Sequence, residues 1–436
     1  MNTLETIKER YQELQANNGS SGLTPIERNA FNAFSTMGIP TVKHEEWKYT
    51  RISGLFNKAY EFAPGRVLSE LSARDLEPFR LPGHEEANEL VFVNGQYASA
   101  LSKIHSPAIV VLPLEEAAKG EFHDVVLNNL GNSSKYVKDG IHAMNTAFVQ
   151  DGIFIHIRKG MAAEHPLYIY HITDGRTVNI LSQPRILMHL AERAQVQVVE
   201  TYSTLGLSEN LTNQVTEVIL ERDAIAEYYK IQNDAPQTSQ VSTTHFRQVD
   251  KSVVHTVTIT LNGGIIRNNL NIAIEAERSE ADLHGLYFVN GRSHVDNHTT
   301  VDHIKPNCLS NELYKGVITD EATAVFNGKI FVQPQAQKTN AYQSNKNILL
   351  SPSANVNTKP QLEIFADDVK CSHGCTIGQL DEEGLFYLKS RGIGDEMAKS
   401  LLVHAFAGDI LEHIKSPVIR SYVDSLISER LQYHEA

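Results

Sequence analysis

From about residue 150 to 378, apolar and polar residues alternate one by one along the chain. Val253, His255, Val257, Ile259 and Leu261 hold one phase, and Val254, Thr256, Thr258 and Thr260 the other. Leu270, Ile272, Ile274 and Ala276 repeat the pattern, as do Ala324, Phe326, Gly328, Ile330 and Val332. A period of two sends successive side chains to opposite faces of a strand, so this part reads as many strands. On either side the period is helical. Thr24-Pro25-Ile26-Glu27 combines a capping residue, a first-turn proline and a glutamate placed to close a capping box, with Ile26, Ala30 and Ala33 at helical spacing. Gly19-Ser20-Ser21-Gly22 separates this helix from a charged amphipathic segment before it. Residues 61–150 mix short helices with a hairpin at Asn94-Gly95. After Asp381, Met397, Leu401 and Ala405 share a helical face behind Gly394-Asp395. Ser416-Pro417 opens a last helix with Ile419, Val423, Leu426 and Ile427 on its apolar side. The predicted organisation is a mainly helical region 1–150, a strand core 151–380 and a helical region 381–436.

A weak repeat punctuates the strands. Polar corners recur at Glu192-Arg193-Ala194, Arg222-Asp223-Ala224, Asp250-Lys251-Ser252 and Arg278-Ser279-Glu280-Ala281, roughly 30 residues apart. Asp320-Glu321-Ala322 and Asp367-Asp368-Val369 follow at wider gaps. Strand-rich units at such a period indicate a β-solenoid, with a β-sandwich of regular turns as the alternative. A helical tail on a solenoid either caps the last rung or docks a partner.

Composition narrows the function. With 436 residues, 41% hydrophobic and 21% charged, the chain is a folded protein of more than one structural unit. Its 52 acidic against 39 basic residues give a net charge of -13, which argues against nucleic acid or an anionic membrane as the main partner. No apolar run approaches the roughly 20 residues of a spanning helix. MNTLETIKERYQELQ lacks the apolar core of a secretory signal. Three cysteines, Cys308, Cys371 and Cys375, make no disulfide framework and suit a reducing cytosol. They also fall short of the four thiolates that usually hold an iron–sulfur cluster within one chain.

Three stretches carry candidate chemistry. In Cys371-Ser372-His373-Gly374-Cys375, a strand conformation puts Cys371, His373 and Cys375 on one face, about 6.6 Å from each Cα to the next-but-one. Thiolate and imidazole are metal ligands, and thiolate also carries sulfur, so such a strand makes half of a site. Alternatively the cysteines are small core residues and His373 bonds a carbonyl. The second stretch is His284, His294, His298 and His303, interleaved with Asp296 and Asp302. It suits either a metal or a polar ladder at solenoid corners. The third is His44-Glu45-Glu46-Trp47-Lys48-Tyr49-Thr50, where Trp47, the only tryptophan, reads as a packing anchor between the N-terminal helices and the solenoid. No phosphate loop, nucleophile elbow or H-E-x-x-H pair is present. The alternative of a β-helix enzyme on carbohydrate polymers would draw carboxylates from Glu275–Glu280, a run that also reads as a solvated corner.

Several of these stretches resemble the SufB/SufD family, and its SufD branch in particular. They are PTVKHEEWKYT (Pro40–Thr50), HVDNHTTVDH (His294–His303) and NELYKGVI (Asn311–Ile318), then FNGKIFVQPQAQKTNAYQSNKNILL (Phe326–Leu350) and TKPQLEIFADDVKCSHGCTIGQLDEEGLFYLKSRGI (Thr358–Ile393). The resemblance implies a mostly β chain, a right-handed parallel β-helix core with N-terminal and C-terminal α-helical regions. It implies a cytoplasmic, non-catalytic scaffold subunit of a SufBCD complex for iron–sulfur cluster assembly. Such a subunit pairs with a SufB-like β-helix chain, or with a second copy of itself when alone, and its C-terminal helices dock a SufC-like ABC-type ATPase. No cofactor is then held stably, and iron or a nascent Fe–S cluster passes through a shared interface. His373 matches the family histidine of the K-C-S-H-G motif, and Cys371 the cysteine two before it. Cys375 departs from the pattern, where alanine is frequent, and stands as a spare ligand or a core residue.

Overall fold

In the computed structural model, which describes residues 3–17, 22–62 and 71–432, the alternating region winds into a parallel β-solenoid of about eight turns. Each turn gives one strand to each of two facing sheets. Sheet I runs through Gln96–Tyr97, Asn88–Val93, Leu167–Gly175, Gln195–Gly206, Ile225–Asn233, Val253–Asn262, Glu280–Val289, Leu309–Ile318, Asn340–Leu349 and Lys370–Gly378. Sheet II runs through Ile109–Pro113, Ile153–Ile157, Arg185–Leu190, Leu211–Leu220, Ser239–Gln248, Ile265–Ile274, His294–His303, Thr323–Val332 and Asn355–Ile364. Both sheets thus begin before residue 150. The Asn94-Gly95 hairpin forms as expected, with both residues left-handed (φ 52° and 84°) and Val93 facing Gln96.

The repeat is more regular than its polar corners suggested. Sheet I strands start at 225, 253, 280, 309, 340 and 370, a step of 27 to 31 residues. Five entries into sheet I pass through a left-handed corner residue, at Arg193, Asp223, Arg278, Asn307 and Lys338, with φ of 55 to 62°, and those before Val253 and Lys370 do not. Each is followed by a small buried residue: Ala194, Ala224, Ser279, Cys308 and Thr339. Left-handed backbone is unfavourable for most side chains, so the next residue must tuck in for the turn to close. Asn307-Cys308 and Lys338-Thr339 are the missing members of the series. Asp320 turns the opposite edge, between Ile318 and Thr323, which is why the later gaps looked wide.

Parallel in-register pairing stacks like on like. Leu309 pairs with Asn340 and Asn340 with Lys370, with no shift along the three strands. One phase of each strand fills the lumen, where Ile272, Val295, Ala324, Phe326 and Ile330 are buried. The other phase is covered from outside. The helices Asp395–Leu411 and Pro417–Gln432 lay Val403, Ala407, Ile410, Ile419 and Val423 on sheet I against Tyr229, Ile259 and Phe288. On sheet II, the helices Thr24–Met37 and Gly140–Ala147 and the Trp47 segment form one cluster with Leu211 and Val241.

Three local expectations change. The helix Thr24–Met37 has Leu23 at its N-cap with no side-chain cap, so the capping box does not form, and Glu27 is buried. The Gly19-Ser20-Ser21 part of the expected linker lies outside the described residues. The C-terminal helices do not cap the last rung: they lie along sheet I, and the face holding Met397 and Leu401 points to solvent.

The lumen is packed tightly at its polar–aromatic steps. A Cβ on Gly316 would collide with the Tyr287 ring and the Asn347 amide. Gly316→Ala is expected to cost about 1–3 kcal/mol, measured as a lower thermal midpoint. An unchanged midpoint would mean the lumen is looser than described.

Candidate functional site

The two ends of the solenoid differ. At the first end, both sheets finish in an antiparallel strand, Gln96–Tyr97 against Asn88–Val93 and Ile109–Pro113 against Ile153–Ile157. At the last end, Asn355–Ile364 pairs only with Thr323–Val332, and Lys370–Gly378 only with Asn340–Leu349, among the described residues. Their outer edges carry unpaired backbone donors and acceptors. Ile364, Phe365 and Ile377 stand 40%, 59% and 50% exposed around them. Exposed edges of this kind are templates for another chain.

Register fixes where the candidate ligands point. Cys371 pairs with Ala341, His373 with Gln343 and Cys375 with Asn345, all three of them buried lumen residues. Cys371, His373 and Cys375 therefore continue the lumen-facing columns, and they are open only because no further rung covers them. Cys371 is half-buried against the lumen core, and its burial pushes the thiol pKa up. His373 and Cys375 are exposed. The outer Cα positions of this trio lie about 13 Å apart in a strand, so the two sulfurs cannot share one small ion. Cys371 with His373 can offer two ligands, and the remaining ones must come from elsewhere.

The other candidates resolve differently. His294, Asp296 and His298 share the outer face of their strand, but they serve the Trp47 segment. Thr50 Oγ1 lies 2.8 Å from His294 Nε2 and donates to Asp296 at 2.5 Å, Arg267 donates to Asp296 at 2.8 Å, and His298 Nε2 lies 2.9 Å from Asp296. Trp47 sits beneath the Arg267 guanidinium at 4.1 Å and donates its indole N–H to Asp139 at 3.1 Å, as an anchor should. His303 turns to Ser310 instead, at 2.8 Å, and His284 stacks on His413 on the far sheet with ring centres 3.5 Å apart. Among the described residues, no group of three or more His, Cys, Asp or Glu is placed to hold a metal ion by itself. Glu275 is held by Arg247 through two bonds of 2.8 and 2.7 Å, next to the corner at Arg278, so this run is a corner and not a groove.

One lumen residue near the open end escaped notice in the sequence. Glu312 is buried below Gln343, whose amide donates to it at 2.8 Å, and Gln343 in turn lies below His373. Its other carboxyl oxygen has no partner, and burial raises its pKa to about 7. The signal was available: Ser310, Glu312, Tyr314, Gly316 and Ile318 form the inward phase, and a charge on that phase is anomalous.

These features describe a solenoid protein whose candidate ligands Cys371 and His373 lie at an uncovered end, not in an enclosed pocket, with helical regions fastened to both flanks. Residues 171–406 match the family model for the SUF system FeS cluster assembly SufBD core domain, and residues 3–169 match that for the SufBD protein N-terminal region. An iron–sulfur cluster assembly SufBD family protein of Synechocystis is 31% identical over 98% of this chain and 95% of its own. The iron–sulfur cluster assembly protein SufD of Escherichia coli is 30% identical over 90% of each. The chain belongs to the SufBD family of iron–sulfur cluster assembly proteins. Among the described residues, no helix is long and apolar enough to cross a membrane.

Glu312 makes the open end sensitive to pH. Its folded pKa of about 7 lies above the ordinary 4.5. Its stabilising contribution is therefore complete below the lower value and is lost as pH rises through the higher. Glu312→Gln is expected to gain on the wild type by up to about 3 kcal/mol between pH 5 and pH 8, read from denaturation midpoints. A constant difference across that range would contradict the assignment.

Proposed function

We propose that the chain is a SufD-type scaffold subunit, non-catalytic by itself, that lends Cys371 and His373 to a cluster-forming seam completed by a SufB-like solenoid chain. The uncovered last rung carries this reading: two unpaired strand edges, an apolar rim of Ile364, Phe365 and Ile377, and candidate ligands on lumen columns that no further rung covers. A partner rung laid across this end would pair the edges, bury the rim and place its own ligands opposite Cys371 and His373. Iron and sulfide are then cargo, held between two chains and released with the finished cluster. Cys371 stays protonated until a metal competes for its sulfur, because burial raises its pKa. Cys375 lies on the adjoining lumen column as a spare thiol. Without the partner, the same end is available to a second copy of the chain. Three unpaired cysteines suit a reducing, cytoplasmic setting.

The second partner in this reading is a SufC-like ABC-type ATPase on the C-terminal helices. Phe386, Tyr387, Met397 and Leu401 are 76%, 57%, 53% and 44% exposed there, an apolar surface the chain itself does not cover. These helices are also tied to the solenoid. Lys315, buried on the outer face of sheet I, donates to the Phe406 carbonyl at 2.9 Å, pairs with Asp409 and lies 4.4 Å from the centre of the Phe406 ring. Its strand is two rungs below the one bearing His373. Movement of the helix Asp395–Leu411 would therefore pull on the sheet that ends at the site.

Two experiments test this. His373→Ala in the three-subunit complex is expected to lower cluster assembly in cells at least tenfold with the complex intact, and a wild-type rate would remove His373 from the site. Lys315→Met keeps the hydrocarbon stem and should change stability by about 1 kcal/mol or less, because the Asp409 it leaves behind is solvated. It should nonetheless slow ATP-dependent assembly several-fold while ATPase binding persists. Full assembly in that variant would show that the helices and the seam are not linked through Lys315.

A further inference from the structure

Two of the chemically richest stretches, residues 40–50 and the strand His294–His303, have no part in the open end, and they meet each other. Together with residues 135–140 they enclose a cavity of about 670 Å³ on the outer face of sheet II. That volume falls within the range of small-molecule sites. The carboxylates of this region are already engaged. Glu46 pairs with Lys329 at 2.5 Å and His298 at 3.4 Å, Glu45 pairs with Lys359 at 2.5 Å, and Asp139 accepts from Trp47 and from the backbone N–H of His142. Arg267 is likewise committed to Asp296 and Asn269.

Three groups left over are donors. Asn271, on the cavity lining and 3% exposed, has no acceptor for its side-chain N–H. Lys135 and Lys138 also line the cavity, are exposed, and have no anionic partner among the described residues. A buried donor left unmade costs about 1–3 kcal/mol, so an acceptor that reached it from the cavity would gain that much. Two free ammonium groups on the same cavity lining favour negative charge on the visitor. We propose that this cavity binds a small oxyanion-bearing molecule, a carboxylate or a phosphate ester, with its oxygens taken by the Asn271 amide and the Lys135 and Lys138 ammonium groups.

Trp47 lines the same cavity and is the only tryptophan in the chain, so its emission reports on this site alone. The full chain would be titrated with citrate in one arm and AMP in the other, following Trp47 fluorescence and the thermal midpoint. At least one arm should give a saturable change that weakens as salt rises, and which arm responds tells carboxylate from phosphate ester. Binding should fall at least tenfold in Lys135→Ser/Lys138→Ser, a surface variant whose fold is checked by circular dichroism, and also in Asn271→Asp. If Asn271→Asp does not fold, the lysine variant decides. No saturable response in either arm, or undiminished binding in the lysine variant, overturns the proposal.

Discussion

Everything in this molecule depends on the in-register parallel ladder. Each solenoid strand satisfies half of its backbone groups with the rung before and half with the rung after. Side chains at one register position accordingly stack into columns along the axis. The constraint is local in origin, since strands of about ten residues joined by short corners return the chain to the same register every turn. It is global in effect, because a residue's environment is set by its neighbours 27 to 31 positions away. Ala341 is buried because Cys371 covers it, and Cys371 is half-open because nothing covers it.

The ladder also explains why the candidate ligands lie exposed at one end. A solenoid has two terminal rungs, and natural folds protect such edges. Here the first end is closed by antiparallel strands, and the last carries Cys371, His373 and Cys375 on columns that inside the stack hold Ala341, Gln343 and Asn345. A lumen position without a lid is covered on one side and open on the other, and at Cys371 the covered side pushes the thiol pKa up while the sulfur stays reachable. The flanking helices leave this end free because their apolar faces are spent on the flat outer surfaces of the two sheets. The buried Lys315 and the Arg267–Trp47 stack fasten them there.

Much of this was legible in the sequence. Strict alternation located the strands, Asn94-Gly95 the hairpin, and Cys371 to Cys375 a single face. What alternation could not show was which face looked inward. That follows from pairing Cys371 with Ala341, a contact made across a turn of the solenoid. The corners at Asn307 and Lys338 were missed because their mark is backbone conformation, and a polar triplet is an imperfect proxy for it. Met397 and Leu401 form a genuine apolar stripe, but a stripe that faces solvent has the same period as one packed on the core. The histidines from His284 to His303 looked like a cluster and are dispersed over three surfaces, because strand phase and a corner separate residues close in sequence.

The most direct test of the central claim, that the last rung is an unfinished edge completed by another chain, is amide hydrogen exchange across Asn355–Ile364 and Lys370–Gly378. It would compare the isolated monomeric chain with the complex containing the second solenoid subunit. In the isolated chain, the amides on the outer edges should exchange orders of magnitude faster than those of Asn340–Leu349, and the partner should bring them to comparable protection. Full protection in the isolated monomer, or no change on adding the partner, would contradict the account.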